Sequence, residues 1–383
     1  MDWSIDIFAE GPLAFPERRF GEQYRASLPY VPGGTVFAAL AAEHFDAELF
    51  RALRCHNAYP VAADEEVTRP LPLTALQEKG RDKGPIYDSL VARVCWEQQQ
   101  PAGLLYAPAD AEGRPWEAAG RRFYALKGRS LALRSVSQRV LTRVGINRRR
   151  GSAEEGRLYS PLVINEAVSE AGQSEPRGTR FRGSVTLLDR DDDLQAWLEA
   201  ISGLGTRQSS GLGAVSLRAR SNPAEDAAAI GARITAMTGR FQQQARQYGQ
   251  LGGAEFAIAE RSIFSINLLA DALLLEQGWL PTQQFSAAQL REATGIEARL
   301  LRAFTGTSVI GGWHTTWRQA KPTAPAVTMG SLFVFQAAAP LSDQDCRRLA
   351  ELQRRGIGER RQEGYGQIRI CDEFHTQDEW PRA

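Results

Sequence analysis

Short apolar blocks recur in the same order at two places along the chain. At the first, Val185-Thr186-Leu187-Leu188 predicts a strand, residues 194–201 after Asp191-Asp192-Asp193 a capped helix, and Ala214-Val215-Ser216-Leu217 a second strand. At the second, Leu332-Phe333-Val334-Phe335 predicts a strand, residues 346–354 after Ser342-Asp343 a helix, and Gln367-Ile368-Arg369-Ile370 a strand. Each helix is separated from its following strand by glycines in one spacing. Gly203-Leu204-Gly205, five residues and Gly211-Leu212-Gly213 reappear as Gly356-Ile357-Gly358, five residues and Gly364-Tyr365-Gly366. Earlier in each half lies another apolar strand, residues 4–8 and 263–269, followed by helical patterns over 36–53 and 286–293.

Both halves can thus be drawn as two strand-helix-strand units. The expected fold is α+β, with two ferredoxin-like (RRM-like) βαββαβ domains in tandem, each ending in a glycine-rich loop. The boundaries expected are 1–220 for an N-terminal domain with insertions, 221–254 for a helical connector rich in Ala, Gln and Arg, and 255–383 for the C-terminal domain.

The order of elements restricts what the loops bind. Mononucleotide sites run strand, loop, helix, so that phosphate meets a helix N-terminus. Here each loop leaves a helix C-terminus, where the dipole repels anions, and neither carries the Gly-Lys-Ser/Thr ending of a P-loop. An extended phosphodiester fits better: flexible backbone beside Arg207, Ser209 and Ser210 in one loop and Arg360 and Arg361 in the other supplies positioning contacts to phosphate and sugar. Glycines that only permit sharp turns would explain one such loop, but less readily two of equal spacing.

Composition changes this picture little. The 383 residues favour two domains, and a net charge of +1 gives no global attraction to polyanions, so a nucleic-acid surface must be local. Residues 121–150 supply one, with ten basic side chains, Arg148, Arg149 and Arg150 among them, and no acidic one; a solvated face is the plain alternative. The four cysteines form no Cys-x-x-Cys pair, so neither metal nor cofactor is expected. Met1-Asp2-Trp3-Ser4 opens no signal peptide, and no long apolar run occurs, which leads to the expectation of a cytoplasmic protein without membrane contact.

These loops resemble those of the RAMP proteins of CRISPR systems. Val31-Pro32-Gly33-Gly34-Thr35-Val36-Phe37-Ala38-Ala39-Leu40 is similar to that family's early proline-glycine turn opening a helix. His56-Asn57-Ala58-Tyr59-Pro60, Arg69-Pro70-Leu71-Pro72-Leu73, Ile86-Tyr87-Asp88-Ser89-Leu90 and Gly145-Ile146-Asn147-Arg148 resemble the large RAMP of type III-D systems, the Csx-ten family. Gly311-Gly312-Trp313, Ala320-Lys321-Pro322 and Gly330-Ser331-Leu332 continue the resemblance in order. Some relatives carry extra cysteines near the proline-rich stretch, where this chain has none.

The resemblance implies a subunit that binds the five-prime, repeat-derived handle of CRISPR RNA (crRNA). It also implies contact with the large signalling subunit and backbone RAMP subunits, with target RNA met indirectly. It does not imply RNA cleavage, and residues 25–34 contain no carboxylate of the kind assigned to cleavage in backbone relatives. The expected RNA-binding residues are those of the two loops, with Gly33, Gly34, the Arg148 to Arg150 run, Trp313, His314 and Lys321. Trp313 and His314 are candidates for base stacking, although such residues more often belong to a core or interface. The competing reading is a metal-independent endoribonuclease that processes repeat RNA through His56 with Tyr59, or through His44, with His44 better read as a packed side chain. A protein-binding module that uses the loops only as turns is more remote.

Overall fold

A computed structural model describes residues 1–16, 27–62, 67–81, 83–101, 103, 105–110, 112–147, 149–168, 176–258, 260–314 and 319–383, without the side chains of 147, 153–159, 313 and 314. It is a mixed α and β structure whose two main sheets are antiparallel.

The first half contributes β1 (Asp2–Ala9), α1 (Gly33–Glu43), β2 (Leu53–Cys55), β3 (Arg180–Leu187), α2 (Gln195–Glu199) and β4 (Val215–Ser221). Its sheet runs in the order β4-β1-β3-β2. Strand β4 shows why it forms an edge: Val215, Leu217 and Ala219 are buried while Ser216, Arg218 and Arg220 face water, the period of two expected of a half-covered strand. Its inward side chains join Trp3, Ile5, Ile7, Phe181 and Val185 in one core beneath α1 and α2.

Helix α3 (Ala227–Gln250) leads to the second half: β5 (Ile263–Leu268), α4 (Ala287–Thr294), β6 (Ala298–Phe304), β7 (Leu332–Ala337), α5 (Asp343–Arg355) and β8 (Ile368–Ile370). The sheet order, β8-β5-β7-β6, repeats that of the first. Capping boxes start α4, from Ser286 and Gln289, and α5, from Ser342 and Asp345, each satisfying two otherwise orphaned amides.

Two sequence expectations need correction. The pattern over 36–53 is two helices, because the chain turns extended at His44 and Asp46 then caps a new helix, Ala47–Ala52, by accepting hydrogen bonds from the amides of Glu48 and Leu49. His44 ends α1 exposed, stacked on Trp197 at 4.6 Å between ring centres, and is not packed within a helix. The segment expected as a connector also does more than join the halves. Ile230, Ile234, Met237 and Phe241 form a stripe along α3 that enters the core of the second sheet, each contributing about 2 kcal/mol by burial.

The insertion between β2 and β3 closes onto the second half. Helix Leu90–Gln99 buries Val91, Val94 and Cys95 in that same core, and strand Ile86–Asp88 pairs with Glu379–Trp380. Beneath this junction Asp88, fully buried, bonds His375 Nδ1 at 2.8 Å, Thr74 Oγ1 at 2.9 Å and the Leu90 amide at 3.1 Å. A second charged knot joins Arg69 of the insertion, Arg233 of α3, Arg369 of β8, Asp372 and Glu373. Among the described residues no helix is long and apolar enough to cross a membrane.

Candidate nucleic-acid interface

The two glycine loops have the same backbone construction. In each, an arginine with left-handed φ, Arg207 (63°) or Arg360 (54°), opens a single 3-10 turn that ends on a left-handed glycine, Gly211 (78°) or Gly364 (90°). Leu204 N donates to Gly213 O and Ile357 N to Gly366 O; Gly213 N donates to Pro12 O and Gly366 N to Asp271 O. Thr206 N and Glu359 N then bond the carbonyls of Ala14 and Leu273. Each loop is thereby laced to the segment following the first strand of its own half. A left-handed non-glycine residue costs roughly 1 kcal/mol, and its repetition at Arg207 and Arg360 fits a shared geometric requirement.

Their surroundings differ. The first loop leaves Arg207 and Ser209 exposed and accepts, at Ser210 O, a hydrogen bond from Arg143. Arg143 starts the hairpin Arg143–Asn147 with Ser152–Tyr159, whose turn holds Arg149 and Arg150. The structure therefore brings the first loop to the base of the basic hairpin; Arg148 lies outside the described residues. Among the described basic residues of 121–150, those of 123–134 belong to a separate hairpin, and Arg139 is paired with Glu166 at 2.9 Å.

The second loop docks on the first half. A Cβ at Gly364 would lie 2.6 Å from Cys55 O and 3.1 Å from Gly33 Cα, and one at Gly33 would lie 1.8 Å from Cys55 O. Gly34 faces Glu363. Close packing between the halves therefore accounts for Gly34 and Gly364, and close backbone packing on β2 within the first half for Gly33. Glu363 gathers two further candidates, with Arg360 on both carboxylate oxygens at 3.0 and 2.7 Å and Lys321 Nζ at 2.7 Å. Burial raises the Glu363 pKa, but these two partners outweigh it and hold the group below the ordinary carboxylate range. Arg360 also lies over the Tyr365 ring at 4.9 Å. Strand Trp313–His314 pairs with Gln319–Ala320 just before Lys321.

Sequence reading named Arg361 but missed the two arginines it meets at this docking point. Arg54 on β2, Arg355 at the end of α5 and Arg361 in the second loop crowd together, and Arg54 Nε reaches Arg355 O at 3.4 Å. Burial, followed by the charges of Arg361 and Arg355, pushes the Arg54 guanidinium down to about 10. The available signal was positional: Arg354-Arg355 immediately precedes the second loop.

Between the halves lies a cavity of about 450 Å³ lined by His56, Ser184, Arg182, Arg354, Gln367 and Arg369, among others. Its arginines are committed: Arg182 to Asp6 at 2.7 Å, Arg354 to Asp2 at 3.0 Å and Arg369 to Glu225 at 2.8 Å. Burial pushes His56 down to about 4, and its Nδ1 lies 2.9 Å from Ser184 Oγ. Tyr59 spends its hydroxyl on Leu269 O. His56, neutral and buried, and His44, stacked on Trp197, have separate surroundings.

Residues 224–373 match the model of a family described as CRISPR-associated protein (Cas_Cmr3), a segment that runs from just before α3 past β8. No curated protein matches the chain. Similar solved structures include a chain of the type III-B Cmr-beta complex bound to cognate target RNA and AMPPnP, at 9% identity over 86% of each chain with a TM-score of 0.42. Another is a chain of the Csm3-Csm4 subcomplex of the type III-A CRISPR-Cas interference complex, at 11% identity over 89% of this chain and 95% of that one, with a TM-score of 0.35. Over residues 224–373, then, the sequence is similar to a CRISPR-associated protein family.

Proposed function

We propose that the chain is a non-catalytic RNA-binding RAMP subunit of a type III CRISPR-Cas effector complex, built from two ferredoxin-like domains and acting in the cytoplasm. It binds the five-prime handle of crRNA and supports assembly with the large signalling subunit and the backbone RAMP subunits. The single observation that carries this reading is the duplicated glycine loop, alike in spacing and in hydrogen bonding, the second copy lying inside the segment that matches the CRISPR-associated family. The III-D resemblance rests on motifs of the first half, outside that segment, and on three motifs between Gly311 and Leu332 within it.

In this reading Arg207, Ser209 and Ser210, with the neighbouring basic hairpin, position RNA phosphate and sugar. The second loop, with Arg360, Lys321 and Glu363, fastens the halves together. The nuclease reading gains no support from the geometry: His56 is buried, kept neutral and oriented by a serine, without the accessible acid-base pair that RNA cleavage needs.

Co-expression with a CRISPR array and the remaining subunits, followed by sequencing of the RNA that copurifies, tests the proposal. Intact crRNA carrying its repeat-derived five-prime end is the expected cargo, with recovery lowered several-fold by Arg207→Gln. RNA without that end, or no RNA in an otherwise assembled complex, would refute it.

A further inference from the structure

Burying a guanidinium without a counter-ion is costly, so such groups are normally paired. Most half-buried arginines here obey this, those of the central cavity included. Arg54 departs from it. It donates to the carbonyls of Arg51 and Leu53, each at 2.8 Å, and of Arg355, and meets no carboxylate among the described residues. The side chain of Arg361, also half-buried, has no hydrogen-bond or ion-pair partner among the described residues. Its Cδ lies 3.8 Å from the Cβ position of Gly356, beside Arg355.

Arg355 is the third member, paired with Glu351 at 2.5 Å and with exposed Asp189 at 3.6 Å. These two acids face the cluster from α5 and from the turn after β3, and both lie on Arg355. Three elements from both halves therefore deliver guanidiniums to one place, and two of the three lack an acidic partner. Planar donors with a deficit of negative charge suit a group that accepts several hydrogen bonds and carries its own charge.

We infer that Arg54, Arg355 and Arg361 form a phosphate-binding site at the junction of the two halves, occupied by a backbone phosphate of bound RNA. This deepens the RNA-binding reading and rests on it. The site depends on the second loop docking against β2, so RNA held there also bridges the halves. It adds Arg54 and Arg355 to the contact surface and gives Arg361 a role that differs from that of its neighbour Arg360, whose charge is met by Glu363.

The test is retention of labelled crRNA and of an unrelated RNA by the full chain across a salt series, for the unmodified protein, Arg54→Gln, Arg361→Gln and the exposed control Arg246→Gln. Arg361→Gln is the decisive variant because it removes no side-chain hydrogen bond or ion pair among the described residues, whereas Arg54→Gln also loses its carbonyl contacts. Removing one phosphate contact is expected to weaken binding about tenfold and to reduce the salt slope by about one, with Arg246→Gln unchanged. Equal affinity and slope for Arg361→Gln and unmodified protein would overturn the site, even where handle preference persists. Loss of handle preference, with both RNAs still released by Arg361→Gln, would instead overturn the handle reading and keep the site. Inorganic phosphate separates the sources: phosphate binding to the chain that Arg361→Gln abolishes, with RNA retention and salt slope unchanged in the same variant, would show a free-anion site and overturn its assignment to RNA.

Discussion

Gly366→Ala is expected to destabilise the protein by about 3 kcal/mol or more, measured as a lower midpoint in thermal or urea unfolding. The residue has φ of 67°, and an added Cβ would stand 1.7 Å from Ile357 O, the backbone atom beside the very amide that bonds Gly366 O. Neither partner is a flexible side-chain end, so the clash can be relieved only by breaking the lacing of the second loop. Gly211→Ala supplies the comparison. Its φ is 78°, but a Cβ there meets nothing within 4 Å, so only the conformational cost of about 1 kcal/mol applies. Equal losses for the two variants would show that the close approach at Gly366 does not constrain the loop.

Glu373→Gln should cost about 2 kcal/mol near neutral pH, and the cost should fade in acid. Glu373 accepts from Arg69 at 2.6 Å and from Arg369, with Arg233 at 3.7 Å. Burial raises its pKa, but the charges and hydrogen bonds of Arg69, Arg369 and Arg233 outweigh this and hold the carboxyl at about 2, against 4.5 for an ordinary glutamate. A group whose folded pKa is depressed contributes stability in full above its unfolded value and loses it as pH falls toward the folded one. The difference between unmodified and variant protein should therefore be constant above pH 5 and shrink from about pH 4.5 to 2. Asp88, also depressed because His375 and Arg240 outweigh its burial, acts in the same direction in both proteins. A difference that does not change across this range would show that the Glu373 charge does not hold the knot together.

Local signals made the sheet frameworks legible. The apolar run beginning at Leu332 gave β7, and the Ser342 box gave the start of α5, because strands and caps are decided by residues close in sequence. The break at Asp46 was missed because apolar periodicity continued through it, although an aspartate two residues before Glu48 is itself a capping signal. The roles of Gly33 and Gly364 were hidden for a different reason: each is explained by a backbone distant in sequence, that of Cys55, which for Gly364 lies in the opposite half. The same holds for Arg54 and Arg355, which are ordinary arginines in sequence and join Arg361 of the second loop only through docking, and for Asp88 and His375, which meet across the closed insertion. Sequence spacing singled out both loops as candidates but carried no information on which meets the basic hairpin and which docks on the opposite half.

The most direct measurement is incubation of the purified chain with five-prime-labelled crRNA and with an unrelated RNA, without metal, over increasing salt, reading retention and cleavage together. Intact crRNA held in preference to unrelated RNA, with affinity falling as salt rises, is the expected result. Site-specific cleavage of the RNA, or failure to retain crRNA even beside the partner subunits, would contradict a non-catalytic handle-binding subunit.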